Sequence, residues 1–125
     1  MGYETRIYIG EPSSYPDPKN KIVWFQVMGM VDCSKIGYTP VSKEVIAKGH
    51  ACYFYGSDGN TRITEDCYGE KCRAVPIALV MESLKGMLGG RYTRIRWAYD
   101  MLKTMSKQRK TYHGMKATHC ILFGY

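Results

Sequence analysis

The sequence predicts an α+β fold: a largely antiparallel, mixed sheet of four to five strands with a helical pair packed on one face. Alternating apolar and polar residues at 5–10 indicate a half-buried first strand. Apolar residues between Ile77 and Leu88 recur at three- and four-residue intervals, which is typical of a helix. A length of 125 residues is usual for one core, so we expect a single domain over 1–125.

The remaining strands follow from composition and turns. Residues 11–21 contain three prolines and predict an exposed loop. Residues 22–31 are rich in β-formers and apolar on both faces, which predicts a long central strand covered on each side. Residues 51–55 and 61–64 flank an Asp-Gly turn and predict a hairpin, and residues 120–124 predict a final strand.

Three helices are expected. Thr39-Pro40 resembles a helix start, with Gly49 closing a short helix after Lys48. Pro76 starts the clearest helix, which Gly89-Gly90 should end, and a second long helix over about 92–108 must then turn back against it. The predicted buried side of this last helix consists of Ile95, Ala98, Met101, Leu102 and Met105.

Targeting signals are not evident in the sequence. The longest apolar run, at 77–81, is far shorter than the roughly 20 residues that a transmembrane helix needs. The first residues lack the charged-then-apolar layout of a secretory signal. We therefore expect a cytoplasmic protein without a membrane partner.

The cysteines predict reduced thiols, because five of them cannot all pair within one chain. His50, Cys52, Cys67 and Cys72, with His119-Cys120 in reserve, would supply zinc ligands, but no CxxC hook is present. The alternative is that the cysteines are small buried hydrophobic residues in strands. We predict no metal and no cofactor.

Positive charge is concentrated in the second half of the chain. The formal net charge is +7, and residues 85–116 hold nine basic residues against one acid, Asp100. A strongly basic region of this kind indicates an anionic partner.

Basic and aromatic residues alternate on the second long helix. Tyr92, Arg96, Tyr99, Lys103, Lys107 and Lys110 lie on one stripe, predicted to lie opposite the apolar face. Nucleic-acid binders use cations for phosphates and rings for stacking on bases. An ordinary solvated helix face is the competing interpretation, although such faces usually mix charges of both signs. The predicted binding residues are Arg91, Tyr92, Arg94, Arg96, Trp97, Tyr99, Lys103, Lys107, Arg109 and Lys110.

The sequence contains no recognisable catalytic motif. Cys67 and three histidines supply parts for a thiol nucleophile, but no local signature brings them together. The glycines at 86–90 lack the Lys-Ser/Thr of a phosphate-binding loop. We therefore predict a protein that is not an enzyme.

Several short segments resemble the small accessory proteins of tailed bacteriophages. These segments are GYETRIYIG at 2–10, MVDCSKIG at 30–37, DCYGE at 66–70 and ILFGY at 121–125. The resemblance implies a virus-encoded protein acting in a bacterial cytoplasm, on host defence or on host nucleic-acid machinery.

The leading functional hypothesis is a binding protein for phosphate-bearing ligands, DNA or RNA above all. One alternative is a phage-encoded inhibitor, such as an anti-CRISPR or other anti-defence protein, that binds a host effector protein through its many tyrosines. Another is a sponge for a signalling nucleotide. The sequence leaves the choice among these partners, and the oligomeric state, open.

Overall fold

The computed structural model describes residues 5–13, 21–32, 41–89, 93–107 and 117–125. It contains six strands and three helices in these ranges. The strands are β1 (Thr5–Pro12), β2 (Val23–Asp32), β3 (His50–Tyr55), β4 (Arg62–Ile63), β5 (Arg73–Pro76) and β6 (His119–Gly124). The helices are α1 (Lys43–Ala47), α2 (Ile77–Lys85) and α3 (Thr93–Lys107). None of these helices is long and apolar enough to cross a membrane.

Five of the six strands close into a barrel. Hydrogen bonding runs β2-β1-β6-β5-β3, and a further pairing between β2 and β3 completes the ring, while β4 adds to β3 as a sixth strand. Every neighbouring pair is antiparallel except β2 with β3. A ring with an odd number of strands cannot alternate direction all the way round, so one parallel pair is required. Parallel strands need a long crossover, which the chain between β2 and β3, including α1, provides.

A β-bulge in β2 decides which side chains of that strand are buried, and where. The register against β1 shifts between Ile9 and Gly10, whose partners are Gly29 and Val27, so that one extra residue of β2 lies between them. An extra residue reverses the alternation of side chains between the two faces. Phe25 therefore packs inside the barrel, whereas Val31 packs outside it against the helices.

The barrel interior is one of two hydrophobic clusters. Tyr8, Phe54 and Phe123 pack there as a ring trio, with centroid separations of 4.7 Å for Tyr8–Phe54, 5.7 Å for Tyr8–Phe123 and 5.8 Å for Phe54–Phe123. Tilted and edge-to-face contacts of this kind are the preferred geometries for aromatic pairs. The other buried members of the cluster are Val23, Phe25, Cys52, Cys72, Ala74 and Ile121.

The second cluster lies between the outside of the barrel and the helices. Ile7 and Ile9 of β1 are fully buried there with Leu84 of α2 and Leu102 of α3. Both long helices thus contribute apolar side chains to the same core. Residues 90–92, which would form the joint of the predicted helical pair, lie outside the described residues, so the pairing remains a prediction.

The α+β class and the mostly antiparallel, mixed sheet predicted from the sequence are confirmed. The sheet has six strands rather than four or five, because β5 was not predicted. This strand is only four residues long and runs directly into α2, with Pro76 as both the last strand residue and the N-cap. The predicted end of α2 at Leu88 was also wrong, since the helix ends at Lys85 and Gly86 caps it.

The predicted burial of β2 on both faces was wrong. Trp24 is 39% exposed and Met30 is 45% exposed, because only one side of each half of this strand has a core to pack against. For the short helix, Ser42 is the N-cap of α1 and its hydroxyl accepts a hydrogen bond from the Val45 backbone N–H. The predicted start at Thr39-Pro40 lies outside the described residues.

Candidate nucleic-acid interface

The binding surface predicted from the sequence lies on α3, and the structure describes only part of that surface. Arg96, Lys103 and Lys107 are exposed on this helix, and Trp97 is 46% exposed. The guanidinium of Arg96 lies 3.6 Å from the Asp100 carboxylate, one turn further on. For Arg94 only the backbone is described. Four further predicted residues lie outside the described ranges: Arg91, Tyr92, Arg109 and Lys110.

Tyr99 differs from the other residues of the predicted stripe, because it is partly buried. It packs against the cluster formed by Ile95, Ala98 and Leu102, so its ring is partly used by the core. At 100° per residue it stands about 40° from Ile95, which explains the contact. The cationic stripe of α3 therefore flanks the buried face instead of lying opposite it. Met101, which we predicted to be buried, is 36% exposed because it lies beyond the other edge of that face.

A second aromatic surface lies on the barrel, where β2 meets β3. Trp24 and Tyr53 are register partners across the parallel pair, and Tyr55 follows two residues later on the same face. The ring centroids are 6.0 Å apart for Trp24–Tyr55 and 5.8 Å for Tyr53–Tyr55, both edge to face. Trp24 is 39% exposed and Tyr55 is 37% exposed, so flat ring surface faces solvent.

A cation completes this surface. The guanidinium carbon of Arg62, on β4, lies 4.7 Å from the centre of the Tyr53 ring, within the range of a cation–π contact. Arg62 is also the register partner of Tyr55. We call Trp24, Tyr53, Tyr55 and Arg62 the aromatic face.

The hairpin between β3 and β4 holds Arg62 in place. The Asp58 carboxylate accepts hydrogen bonds from the backbone N–H groups of Asn60 and Thr61, each at 2.9 Å, and from the Thr61 hydroxyl. These bonds, the one from the Thr61 hydroxyl above all, lower the pKa of Asp58 to about 2. A turn fixed in this way positions the strand that carries the cation.

Sequence reasoning missed the aromatic face as a unit, although one signal indicated part of it. Tyr53 and Tyr55 are two residues apart in a predicted strand, so they were expected to share a face. The exposure of Trp24 was not predicted, because its strand was expected to be covered on both sides, whereas only its neighbours Val23 and Phe25 are buried. The pairing of β2 with β3, which brings the two halves together, has no signal in the sequence.

A cleft of about 610 Å³ opens beside α1. We call it the α1 cleft. Its apolar lining comes from Val41, Ile46, Ala47 and Leu122, and Gly69 and Ser42 also line it. Its charged lining consists of Lys43, Asp66, Glu70, Lys71 and Arg73.

The turn that forms one wall of the cleft is organised by Asp66. Its carboxylate accepts hydrogen bonds from the backbone N–H groups of Tyr68 and Glu70, each at 2.9 Å, and of Gly124 at 3.2 Å. The Tyr68 hydroxyl donates to the Tyr125 carbonyl oxygen at 3.0 Å. Asp66 therefore ties this turn to the end of β6.

The cysteines behave mainly as core residues, as one of the two sequence interpretations had it. Cys52, Cys72 and Cys120 are buried, and burial raises their pKa values, that of Cys72 to about 12. Such thiols are poor nucleophiles and poor metal ligands. Cys67 is exposed, and Cys33 is not among the described residues. Within the part of the chain that the structure describes, no three His, Cys, Asp or Glu side chains gather as a metal site would require.

The fold and surface together define a small α+β barrel protein with an exposed aromatic and cationic face. The chain matches no protein-family model, no curated protein and no solved structure. The arguments about function below therefore come from geometry, burial and charge.

Proposed function

We propose that this chain is a non-enzymatic binding protein for phosphate-bearing ligands, and that single-stranded DNA or RNA binds to its aromatic face. The observation that carries the proposal is the exposure of Trp24 and Tyr55 around Tyr53, the ring that the Arg62 guanidinium covers. Proteins that bind single strands combine rings on which bases stack with cations that follow the phosphates. The aromatic face offers both within one patch of barrel surface.

The choice of single strands over duplexes follows from where the rings are. Base faces in a duplex are covered by their neighbours, so protein rings can stack only on bases that are unpaired. The rings of Trp24, Tyr53 and Tyr55 lie on a strand surface, with no helix among them to enter a major groove.

The cations of α3 have a different role in this proposal. Arg96, Lys103 and Lys107 project into solvent from one side of α3, and the net charge of +7 is concentrated in this part of the chain. A positive field of this kind attracts polyanions and raises association rates. We infer that α2 and α3 pack as the predicted pair on one face of the barrel, which would hold these cations on a rigid support.

The experiment is fluorescence anisotropy with labelled single-stranded DNA, RNA and duplex DNA, comparing Trp24→Ala with Trp97→Ala. These are the only two tryptophans of the sequence, both exposed, one on the barrel and one on α3. Stacking contributes about 1–3 kcal/mol per base, so Trp24→Ala should weaken single-strand binding by about tenfold or more. Trp97→Ala should bind nearly as the parent protein does.

A spectroscopic control separates direct stacking from indirect effects. In Trp97→Phe the indole of Trp24 is the sole tryptophan, and base stacking should quench its fluorescence on titration with strand. In Trp24→Phe the remaining indole should change little. If no strand binds at low salt, or if the two alanine variants lose equal affinity, the aromatic face is not the binding site.

A second candidate is the phage-encoded inhibitor of a host effector protein. The observation that favours it is on α3, where Trp97 and Met101 are exposed one helical turn apart. Exposed aromatic and methionine side chains are enriched in the centres of protein interfaces. A pull-down from nuclease-treated host lysate tests it: a stoichiometric protein that Trp97→Ala fails to retain would favour this function.

A further inference from the structure

We propose that the α1 cleft is a second binding site, for a nucleoside monophosphate unit, either free or at the end of a strand. Its volume of about 610 Å³ lies in the range of small-molecule sites, roughly 300–1,000 Å³. Such sites combine an apolar lining with a few polar groups that orient the ligand. The inference does not depend on strand binding at the aromatic face.

The lining offers an apolar surface for a flat ring. Val41 is only 2% exposed, so it supports the cleft from within the core between barrel and helices, and Ile46 and Leu122 are partly exposed and pack against that core. The apolar surface open to a ligand therefore comes from Ile46, Ala47 and Leu122. A nucleobase or another ring of similar size could cover this surface and displace water from it.

The cationic side of the cleft suits a phosphate. Arg73 donates from Nη1 to the Gly49 carbonyl oxygen at 3.0 Å, which fixes the orientation of its guanidinium. A guanidinium carries five N–H donors in a planar fork, so one bond to the backbone leaves others for an anion. Lys43 and Lys71 are exposed on the same lining, one from α1 and one from the turn before β5. Three cations from three segments therefore surround one cavity.

The acidic residues of the cleft reduce its positive charge without cancelling it, because the lining carries three cations and two carboxylates, those of Asp66 and Glu70. The Asp66 carboxylate is engaged by three backbone N–H groups, which hold it in the turn. Glu70 is exposed on the lining and can accept hydrogen bonds from ligand hydroxyl or amino groups. A nucleotide has donors of this kind on its sugar and base, in addition to its phosphate. An inorganic anion would use only the cations.

The position of the cleft relates it to the aromatic face. Arg73 is the register partner of Ala51, and Ala51 precedes Tyr53 by two residues on the same outer side of β3. The cleft and the aromatic face therefore lie on one continuous outer surface of the barrel. The terminal nucleotide of a bound strand and a free nucleotide present the same chemistry to the cleft.

The test is isothermal titration calorimetry with AMP, adenosine and inorganic phosphate. AMP should bind more tightly than either of the other two, because it alone uses both the apolar and the cationic lining. The double variant Lys43→Gln, Lys71→Gln should weaken AMP binding by about tenfold or more, since hydrogen bonds to charged groups are among the stronger ones in proteins. Lys85→Gln, on α2, is the control and should bind AMP as the parent does.

Two further arms separate the sources and the two sites. A 5′-phosphorylated oligonucleotide that displaces AMP from Trp24→Ala would assign the cleft to strand ends, whereas AMP binding without displacement would assign it to a free nucleotide. AMP binding retained in Trp24→Ala would keep the cleft proposal even if the aromatic face fails to bind strands. Equal binding of AMP and adenosine, no AMP binding at millimolar concentration, or an unaffected double variant would overturn it.

Discussion

The indole of Trp24 contacts the ring of Tyr55 edge to face, with their centroids 6.0 Å apart, across the one parallel strand pair of the barrel. The two residues are 31 positions apart in sequence, and each belongs to a strand whose other neighbours are antiparallel. The contact forms because β2 pairs with β3 and places Trp24 opposite Tyr53, two residues before Tyr55. The proposed binding surface thus lies where the barrel closes.

Salt dependence should identify Arg62 as a phosphate contact. For single strands the slope of log affinity against log salt is about −0.7 per phosphate neutralised. Arg62→Gln should reduce the magnitude of this slope by about 0.7, and Lys85→Gln should leave it unchanged. The measurement is an anisotropy titration of a labelled single strand at several salt concentrations; equal slopes in the parent and in Arg62→Gln would contradict the assignment.

The α3 cations should act mainly on association. In the triple variant Arg96→Gln, Lys103→Gln, Lys107→Gln we expect the association rate at low salt to fall several-fold and the dissociation rate to change little, because peripheral charges steer encounter. Asp100→Asn is the control of opposite sign, since it removes a negative charge from the same helix. Stopped-flow measurement gives both rates. A triple variant that dissociates faster while associating normally would place these cations in direct contact with the ligand.

Near the β-bulge, substitution of Gly10 should destabilise the protein far more than substitution of Gly29 on the adjacent strand. A Cβ on Gly10 would collide with the Gln26 carbonyl oxygen, a backbone atom that cannot move without breaking the strand pairing. A Cβ on Gly29 would meet only the end of the Met105 side chain at an ordinary 3.6 Å. Gly10→Ala should therefore lower the free energy of unfolding by about 3 kcal/mol, and Gly29→Ala by less than about 1 kcal/mol. Urea unfolding measures both, and similar losses would contradict the bulge geometry.

The turn at residues 66–70 should depend on the Asp66 carboxylate. Asp66→Ala removes the acceptor of three backbone N–H groups, so we expect the free energy of unfolding to fall by about 2 kcal/mol. Asp66→Asn should lose about half as much, because its amide nitrogen cannot accept a hydrogen bond from Gly124. Glu70→Gln removes the same charge from the same turn and should stay within about 0.5 kcal/mol of the parent. If Glu70→Gln costs as much as Asp66→Ala, charge rather than hydrogen bonding stabilises the turn.

Because of His119, the free energy of unfolding should decrease as the pH falls below about 6.5. Burial disfavours its charged imidazolium and lowers its pKa below 6.5, although the Glu11 charge opposes the shift. Between the folded and unfolded pKa values the unfolded chain binds more protons, so this contribution is full above pH 6.5 and is lost as pH falls through the folded value. His119→Gln should flatten that part of the curve of unfolding free energy against pH. A slope below pH 6.5 that is the same in His119→Gln as in the parent protein would contradict the shift.

Much of the secondary structure could be predicted from the sequence because its causes are local. Asp58-Gly59 fixes the hairpin through hydrogen bonds among residues 56–61, and the spacing of Ile77, Val80 and Leu84 defines the buried face of α2. β5 escaped prediction because four residues are too few to show a period, and because Pro76 also begins the helix.

The proposed sites were harder to predict because they are made from distant segments. The residues of the α3 surface are near neighbours in sequence, so a helical repeat was enough to group them. The aromatic face joins Trp24 to Tyr53, Tyr55 and Arg62, and the α1 cleft joins α1 to the 66–71 turn and to Leu122. No short sequence pattern indicates contacts between segments that are so far apart in the chain.

The sequence alone determined the α+β class, the long helices, the β3–β4 hairpin and the concentration of positive charge, since each depends on residue type and on spacings of a few residues. Only the tertiary structure showed that the barrel closes and which residues surround Trp24. It also showed the bulge that places Phe25 in the barrel interior and Val31 in the core beneath the helices. Those features depend on strand register and on the direction of strands around a ring. Both are set by packing of the whole chain.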